Sequence, residues 1–410
     1  MKLKKIIAMM AVAGVTLPGV AMATNGMFAS GYGTTANGMG GAATAMAEDT
    51  FGGANNPASM VFVGDRIDAG LTLFSPQRQA NNGYGSESSD SNYFPIPEFG
   101  YNKMLSTDLS LGVSVYGNGG MNTNYAPNAQ GYNMLGGKGN LGVNLEQLIV
   151  APTLAFKIND SNSIGIAPLL GYQRFMAQGL QQFEGISSSP NNVTNNGYDT
   201  SYGAGVRVGY MGKINSQLTF GASYSSKVYF NSMSDYSGLF AGQGSLDLPE
   251  NYDLGLAYKV IPDLTLALDY QRINYAGVNA IGNQSNLSLI SPNGLGANNG
   301  SGFGWQDINV WKLGAEYKYN EHWTLRTGWN HGDDPVTAGN VTFNIIAPGV
   351  ITDHFTMGAS YVTANGNIVT AAYIHGFENS VTGPNLMYPA GPLQKISMYQ
   401  DSLGLAYAWK

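Results

Sequence analysis

A seven-residue unit recurs through the second half of the chain as LTFGASY, YDLGLAY, WKLGAEY, FTMGASY and DSLGLAY, each with a Tyr three residues after a Gly. Successive side chains of a strand point to opposite faces. In YDLGLAY, therefore, Tyr252, Leu254, Leu256 and Tyr258 share one face, while Asp253, Gly255 and Ala257 share the other. The first face is apolar with aromatic ends; the second is kept open by Gly221, Gly255, Gly314, Gly358 and Gly404. That is the pattern of a strand with lipid outside and space inside, and a sheet in lipid must close to satisfy its backbone. A β-sandwich also alternates, but its inner faces are more uniformly bulky.

Alternation and turn signals mark about 14 strands, an even number. They are Arg66–Gln79, Pro97–Met104, Asp108–Gly117, Glu146–Ile158, Ser163–Phe175, Asp199–Ile214 and Gln217–Phe230, then Asn251–Ile261, Leu264–Tyr275, Ile308–Tyr319, Trp323–Gly332, His354–Ala364, Gly366–Phe377 and Asp401–Lys410. Short turns such as LSTD, INDSN, KIN, IPD, NEH and ANG alternate with long polar connections, as periplasmic turns alternate with external loops. The fold class expected is an all-β transmembrane antiparallel barrel, residues 65–410.

The front of the chain agrees. Lys2, Lys4 and Lys5 precede an apolar run from Ile6 to Val20 and the site Ala21-Met22-Ala23, a secretory signal peptide over residues 1–23. With 11% charged residues, 56 Gly, 25 Tyr and no Cys, the mature chain lacks a disulfide framework and a lipid-anchored cysteine. A net charge of −7 with no basic run after the signal peptide excludes nucleic acid as a partner.

Within one hairpin the register can be read. Pairing Tyr319 with Trp323 puts Glu316 opposite Arg326 as an inner-wall ion pair, with Lys312, Lys318 and Asn330 also facing inward. Other inward positions are apolar: Phe74, Tyr116, Ile149, Ala151, Ala167 and Leu169. They suit either an apolar passenger or a plug, and both readings stay open. A plug is available in residues 24–64, too few and too apolar for an independent domain. At its end Pro57 holds Asn56 extended, a fixed turn that carries the plug to the wall. The four His residues lack metal spacing and no nucleophile motif occurs, so neither an enzyme, a cofactor nor a metal is expected. Asp333-Asp334 before Pro335 reads as a solvated loop turn.

The segment TNGMFASGYGTTANGMGGAATAMAEDTFGGANNPASM, with Asn56-Pro57-Ala58, resembles the N-terminal hatch of the FadL family of outer-membrane long-chain fatty-acid and hydrocarbon transporters. SYGAGVRVGY, GASYSSKV, LDLPENYDLGLAY and NEHWTLRTGWNHGDDPV resemble successive family segments in order. The resemblance implies a 14-stranded, hatch-plugged outer-membrane barrel that takes a hydrophobic small molecule into an inner pocket and releases it sideways to the membrane lipids. The side opening would be a kink in the third strand, here at Gly112 or Gly117. Phe74, Tyr116, Ile149 and Leu169 are the ligand-lining candidates, with Arg207 or Lys312 as a polar anchor. Family members that carry fatty acids have a basic group where this chain has Gln306, which disfavours carboxylate recognition. The partners expected are the passenger, the lipids and the barrel assembly machinery, with the barrel a monomer. A nonspecific aqueous porin and a purely structural barrel are the alternatives.

Overall fold

The computed structural model describes residues 25–285 and 294–410; the expected signal peptide lies outside them. Fourteen strands form the wall: β1 (Arg66–Asn81), β2 (Phe94–Met104), β3 (Leu109–Asn122), β4 (Gly142–Asn159), β5 (Asn162–Gln178), β6 (Asp199–Lys213) and β7 (Leu218–Ser225), followed by β8 (Asn251–Ile261), β9 (Leu264–Ile273), β10 (Ile308–Lys318), β11 (Trp323–Gly332), β12 (Asp353–Val362), β13 (Ile368–Gly383) and β14 (Gln394–Trp409). Each pairs antiparallel with its sequence neighbour, and β1 pairs with β14 from Ile67↔Trp409 to Asn81↔Lys395, so the barrel closes. Two short strands are additions: Ser86–Ser88 folds back on β1 and Tyr229–Phe230 on β6.

The outer face is the alternating apolar one. Tyr252, Leu254, Leu256 and Tyr258 are exposed while Asn251, Asp253, Gly255 and Ala257 are buried, and Trp311, Leu313, Trp323, Leu325 and Trp329 line the outside of the β10–β11 hairpin. Among the described residues no helix is long and apolar enough to cross a membrane; the strands carry that role.

The strands differ from expectation mostly at the long-loop end. There β3 continues to Asn122, β13 to Gly383 and β14 starts at Gln394, because hydrogen-bonded pairing continues past the apolar band that alternation detects. The strand expected over Gln217–Phe230 breaks after Ser225: the Ser226 hydroxyl accepts from Val206 N–H and donates to the Lys227 carbonyl in place of a regular ladder. Lys318, expected inside, stands exposed at the short-turn rim.

Residues 25–64 hydrogen-bond to inward groups all round the ring and so lie within it. Thr34 donates its N–H and hydroxyl to Glu98 Oε1 (3.0 and 2.8 Å) on β2, and Ala43 and Thr44 N–H both reach Asp269 Oδ2 at 2.8 Å on β9. Gly40 N–H donates to Thr356 Oγ1 on β12, and Thr50 to Asp68 on β1. Gly40 and Gly41 form a left-handed turn (φ 66° and 84°) pressed on the backbone of Trp329 and Ser30, where any Cβ would collide.

Candidate functional site

Asn56, Pro57 and Ala58 are the point where this inner segment meets the wall. Asn56 is extended (φ −146°, ψ 108°) and caps the 3₁₀ helix Pro57–Phe62, its Oδ1 accepting from Ala58 N–H at 3.1 Å. Its Nδ2 donates to Thr44 O (2.7 Å) in the segment and to Tyr210 O (3.0 Å) on β6. Gly165 and Gly209 on the wall leave the space that Pro57 and Asn56 fill, and Ser163 Oγ donates to Ala58 O at 2.8 Å.

Glu316 and Arg326 stand opposite each other, Arg326 Nη2 lying 2.8 Å from Glu316 Oε2. The pair is larger than expected: Arg326 also donates to Ser360 Oγ (2.6 Å) and meets Glu48 Oε2 (3.5 Å) of the inner segment. A second clamp holds the same residue, where Arg66 chelates Asp68 (Nη2–Oδ1 2.7 Å) and donates to Glu48 O at 2.8 Å. Burial, with Asp68 nearby, raises the Asp49 carboxyl to about 6.

The ligand-lining candidates fall into two groups. Tyr116, Ile149, Leu169 and Arg207 come together on one small cavity with Phe28 and Asn118. Phe74 lines a separate small cavity with Met121, Trp305 and Met398, beneath the long loops. Lys312 belongs to neither. It faces Asp253 (3.8 Å) in a small polar cleft that Arg207 also reaches. A third, mostly apolar cleft opens among the loops at Phe175, Phe240, Phe303 and Phe343. Gln306 reaches none of these; it is exposed and donates to Asp334 O, whereas its neighbour Trp305 enters the Phe74 cavity. Asp334 departs from a solvated turn: it is partly buried, its carboxyl accepts from Val336 N–H and Asn379 Nδ2, and burial raises it to about 7.

Between the two apolar cavities the wall is interrupted. β2 and β3 pair only from Met104↔Ser110 to Phe99↔Val115. Beyond that, Phe94–Glu98 pairs with β1 alone and Tyr116–Asn122 with β4 alone. Pro95 and Pro97, without N–H groups, occupy the β2 side of this seam. On the other side the β3–β4 register shifts between Gly117 and Gly120, so Asn118 and Gly119 bulge. The seam closes again above, where Asp90 N–H donates to Asn124 O. Gly117 thus borders the irregularity. Gly112 does not: it sits in regular pairing, where the Met60 methyl would meet any Cβ. The inner segment touches the bulge itself. Tyr32 donates its hydroxyl to Asn118 Oδ1 (2.8 Å) and packs on Tyr116 (centroids 4.4 Å), and Ala29 N–H donates to Asn118 O at 3.3 Å.

The family model of outer membrane protein transport proteins (OMPP1/FadL/TodX) matches residues 10–387. The chain belongs to this family. Among solved structures it is similar to the Pseudomonas putida toluene transporter TodX (TM-score 0.71, 20% identity, 94% of this chain and 99% of that one). It is equally similar in fold to a Pseudomonas aeruginosa FadL homologue (TM-score 0.71, 16% identity, 94% and 99%). The Ralstonia pickettii toluene transporter TbuX also aligns (TM-score 0.66, 16% identity, 93% and 98%). No curated protein matches by sequence. At these identities the likeness is one of fold, and the family places the barrel among outer-membrane transport proteins.

Asn118, Glu48 and the Arg66–Asp68 clamp were not among the residues singled out from the sequence, and Asp253 was placed only on the inner face. Asn118 carries a signal, since it lies inside Gly117-Asn118-Gly119-Gly120, and a Gly cluster within a strand marks a bulge. Glu48 carries none, because its partner is 278 positions away.

Proposed function

We propose that the protein is a passive outer-membrane uptake channel for hydrophobic compounds, long-chain fatty acids or hydrocarbons, with residues 24–64 as a hatch and sideways release between β2 and β3. The long loops face outward and the short turns face the periplasm. A ligand enters at the phenylalanine-lined loop cleft, moves into the two apolar cavities and leaves through the seam above Phe99 and Val115 into lipid. The observation that carries this reading is that seam: it is unpaired, closed at both ends, and flanked by Gly120–Asn122 in one apolar cavity and Tyr116 and Asn118 in the other. Two of the similar structures are of toluene transporters, which supports a hydrophobic passenger.

The step needs neither a cofactor nor covalent chemistry. Burial contributes about 0.8 kcal/mol per CH₂, enough to draw an apolar molecule from water into a dry cavity and on into lipid. The barrel works as a monomer, its wall presented to the lipids and its last strand, ending at Trp409-Lys410, to the assembly machinery. Single-channel recording together with toluene uptake by reconstituted vesicles tests the reading. Uptake without steady ion conductance is expected; open conductance without hydrocarbon uptake would instead make the barrel an aqueous porin.

A further inference from the structure

The cavity between the inner segment and β3 sets Phe28, Ile149 and Leu169 beside polar side chains; two of these, both buried, bring unmet donors to it, and Asn251 brings one unmet acceptor, its Oδ1. Asn118 is 3% exposed; its Oδ1 is taken by Tyr32, and its Nδ2 has no partner. Arg207 is 4% exposed, with neither Nε nor Nη1 bonded. Buried N–H donors are seldom left unmet, so donors lining one cavity describe the acceptor that belongs there.

The charges nearby decide what kind of acceptor. Asp253 feels both Arg207 and Lys312, whose Nζ is 3.8 Å from it, and also Asp269, which holds the Ala43 and Thr44 amides. Two cations and two carboxylates balance. A carboxylate ligand would add an uncompensated charge to a buried, neutral cluster. An alkane would leave both donors unmet. A neutral oxygen satisfies them without either cost.

We propose that this cavity selects hydrophobic molecules carrying one neutral oxygen acceptor, a ketone, ester or similar carbonyl, held by Asn118 Nδ2 and the Arg207 guanidinium. The selection rests on the transport reading above and names its substrate class. Tyr32 occupies the oxygen of Asn118 and not its nitrogen, so a bound carbonyl and the Tyr32 contact coexist.

The test is calorimetric binding of undecane, 2-undecanone and undecanoate to the purified full-length protein at pH 7.5. The ketone is expected to bind about tenfold tighter than the alkane, the difference one hydrogen bond to a charged donor supplies, and at least as tightly as undecanoate. Asn118→Ala should reduce the ketone's advantage over undecane, whereas a merely structural role would weaken the two ligands by the same factor and leave their ratio as it is. Equal binding of ketone and alkane overturns the proposal, as does undecanoate binding tenfold tighter than the ketone. These comparisons are made in the unaltered protein and do not depend on the variant folding. Failure of all three to bind overturns the transport reading itself, so the two failures are distinguishable.

Discussion

The inner segment is held differently on the two sides of the lumen. On β1, β2, β9 and β11 the wall grips it with ionisable groups: Asp68 on Thr50, Glu98 on Thr34, Asp269 on two successive amides, and Arg326 on Glu48. On β3, β5, β6 and β7 the contacts are neutral: Ser114 donates to Thr50 O, Ser163 to Ala58 O and Ser223 to Asn55 O, and Gly112, Gly165 and Gly209 admit Met60, Pro57 and Asn56. The cavity bearing most of the ligand-lining candidates, the bulge and the start of the unpaired seam lie on the neutral side. On the proposed transport route, a segment anchored by charge on one wall and by neutral contacts on the other gives way on the neutral side without leaving the barrel.

The largest effect is expected from removing the segment altogether. Deletion of Thr24–Ala54 should leave a folded barrel with a large, steady ion conductance in planar bilayers. Conductance that stays at the background of the intact protein would show that this segment does not block the lumen.

The charged anchor comes next. Arg326→Ala leaves Glu316 and Glu48 facing a nearly dry wall without their cation, at a cost of roughly 3 to 5 kcal/mol. Combining it with Glu316→Gln removes one stranded carboxylate and should restore part of the loss. Thermal unfolding in detergent checks this; losses that simply add would mean that the side chains do not act together.

How much of this was legible follows from how far each contact reaches along the chain. The lipid face of YDLGLAY is a period-two pattern within one strand, and the Glu316–Arg326 pair follows from a hairpin whose turn, Asn320–His322, fixes the register. Glu48 joins that pair from the other end of the chain, which neither periodicity nor turn chemistry can reach. Tyr116, Ile149 and Leu169 share a parity and a cavity, but Phe74 has the same parity on β1 and faces a different one, because parity gives the face and not the depth. The seam was half written: Pro95 and Pro97 cannot donate to a ladder, yet reading the second strand from Pro97 hid the stretch of β2 that pairs with β1 alone.

A pH effect sharpens the contrast by acting on the charged wall. Asp49 is raised to about 6 chiefly by burial and then by Asp68, with Arg66 and its hydrogen bond from Phe51 N–H opposing. A carboxyl raised in the seated segment holds its proton more tightly there than when released. Its contribution is therefore fully present below the ordinary value near 4 and lost as pH rises through about 6. The segment should be seated more firmly at pH 4.5 than at pH 7.5 by on the order of 1 to 2 kcal/mol, and Asp49→Asn should remove that part of the dependence. The frequency of brief conductance openings in the intact protein and in Asp49→Asn measures it. Identical pH profiles for the two proteins would take Asp49 out of the anchor.

The smallest change in stability, and the most local in function, is expected on the neutral side. Between Gly117 and Gly120 β3 spends one residue more than β4 does between Glu146 and Leu148. Deleting Gly119 restores a one-to-one ladder. Because the strand there has no partner toward β2, and the glycine brings no side chain, the barrel should lose less than about 1 kcal/mol. Uptake should respond much more strongly. A straightened β3 keeps Met121 opposite Leu145 and on the Phe74 cavity, but it loses the local bend of the bulge, so the strand runs straight beside β2 and the seam between the two cavities narrows. Toluene entry into vesicles is therefore expected to fall severalfold while ion conductance stays closed and the melting temperature is nearly unchanged. Uptake that persists in a stable, straightened barrel would move the exit away from β3; uptake lost together with stability would mean that the bulge holds the wall together and would leave the two sides of the lumen less distinct than their contacts make them.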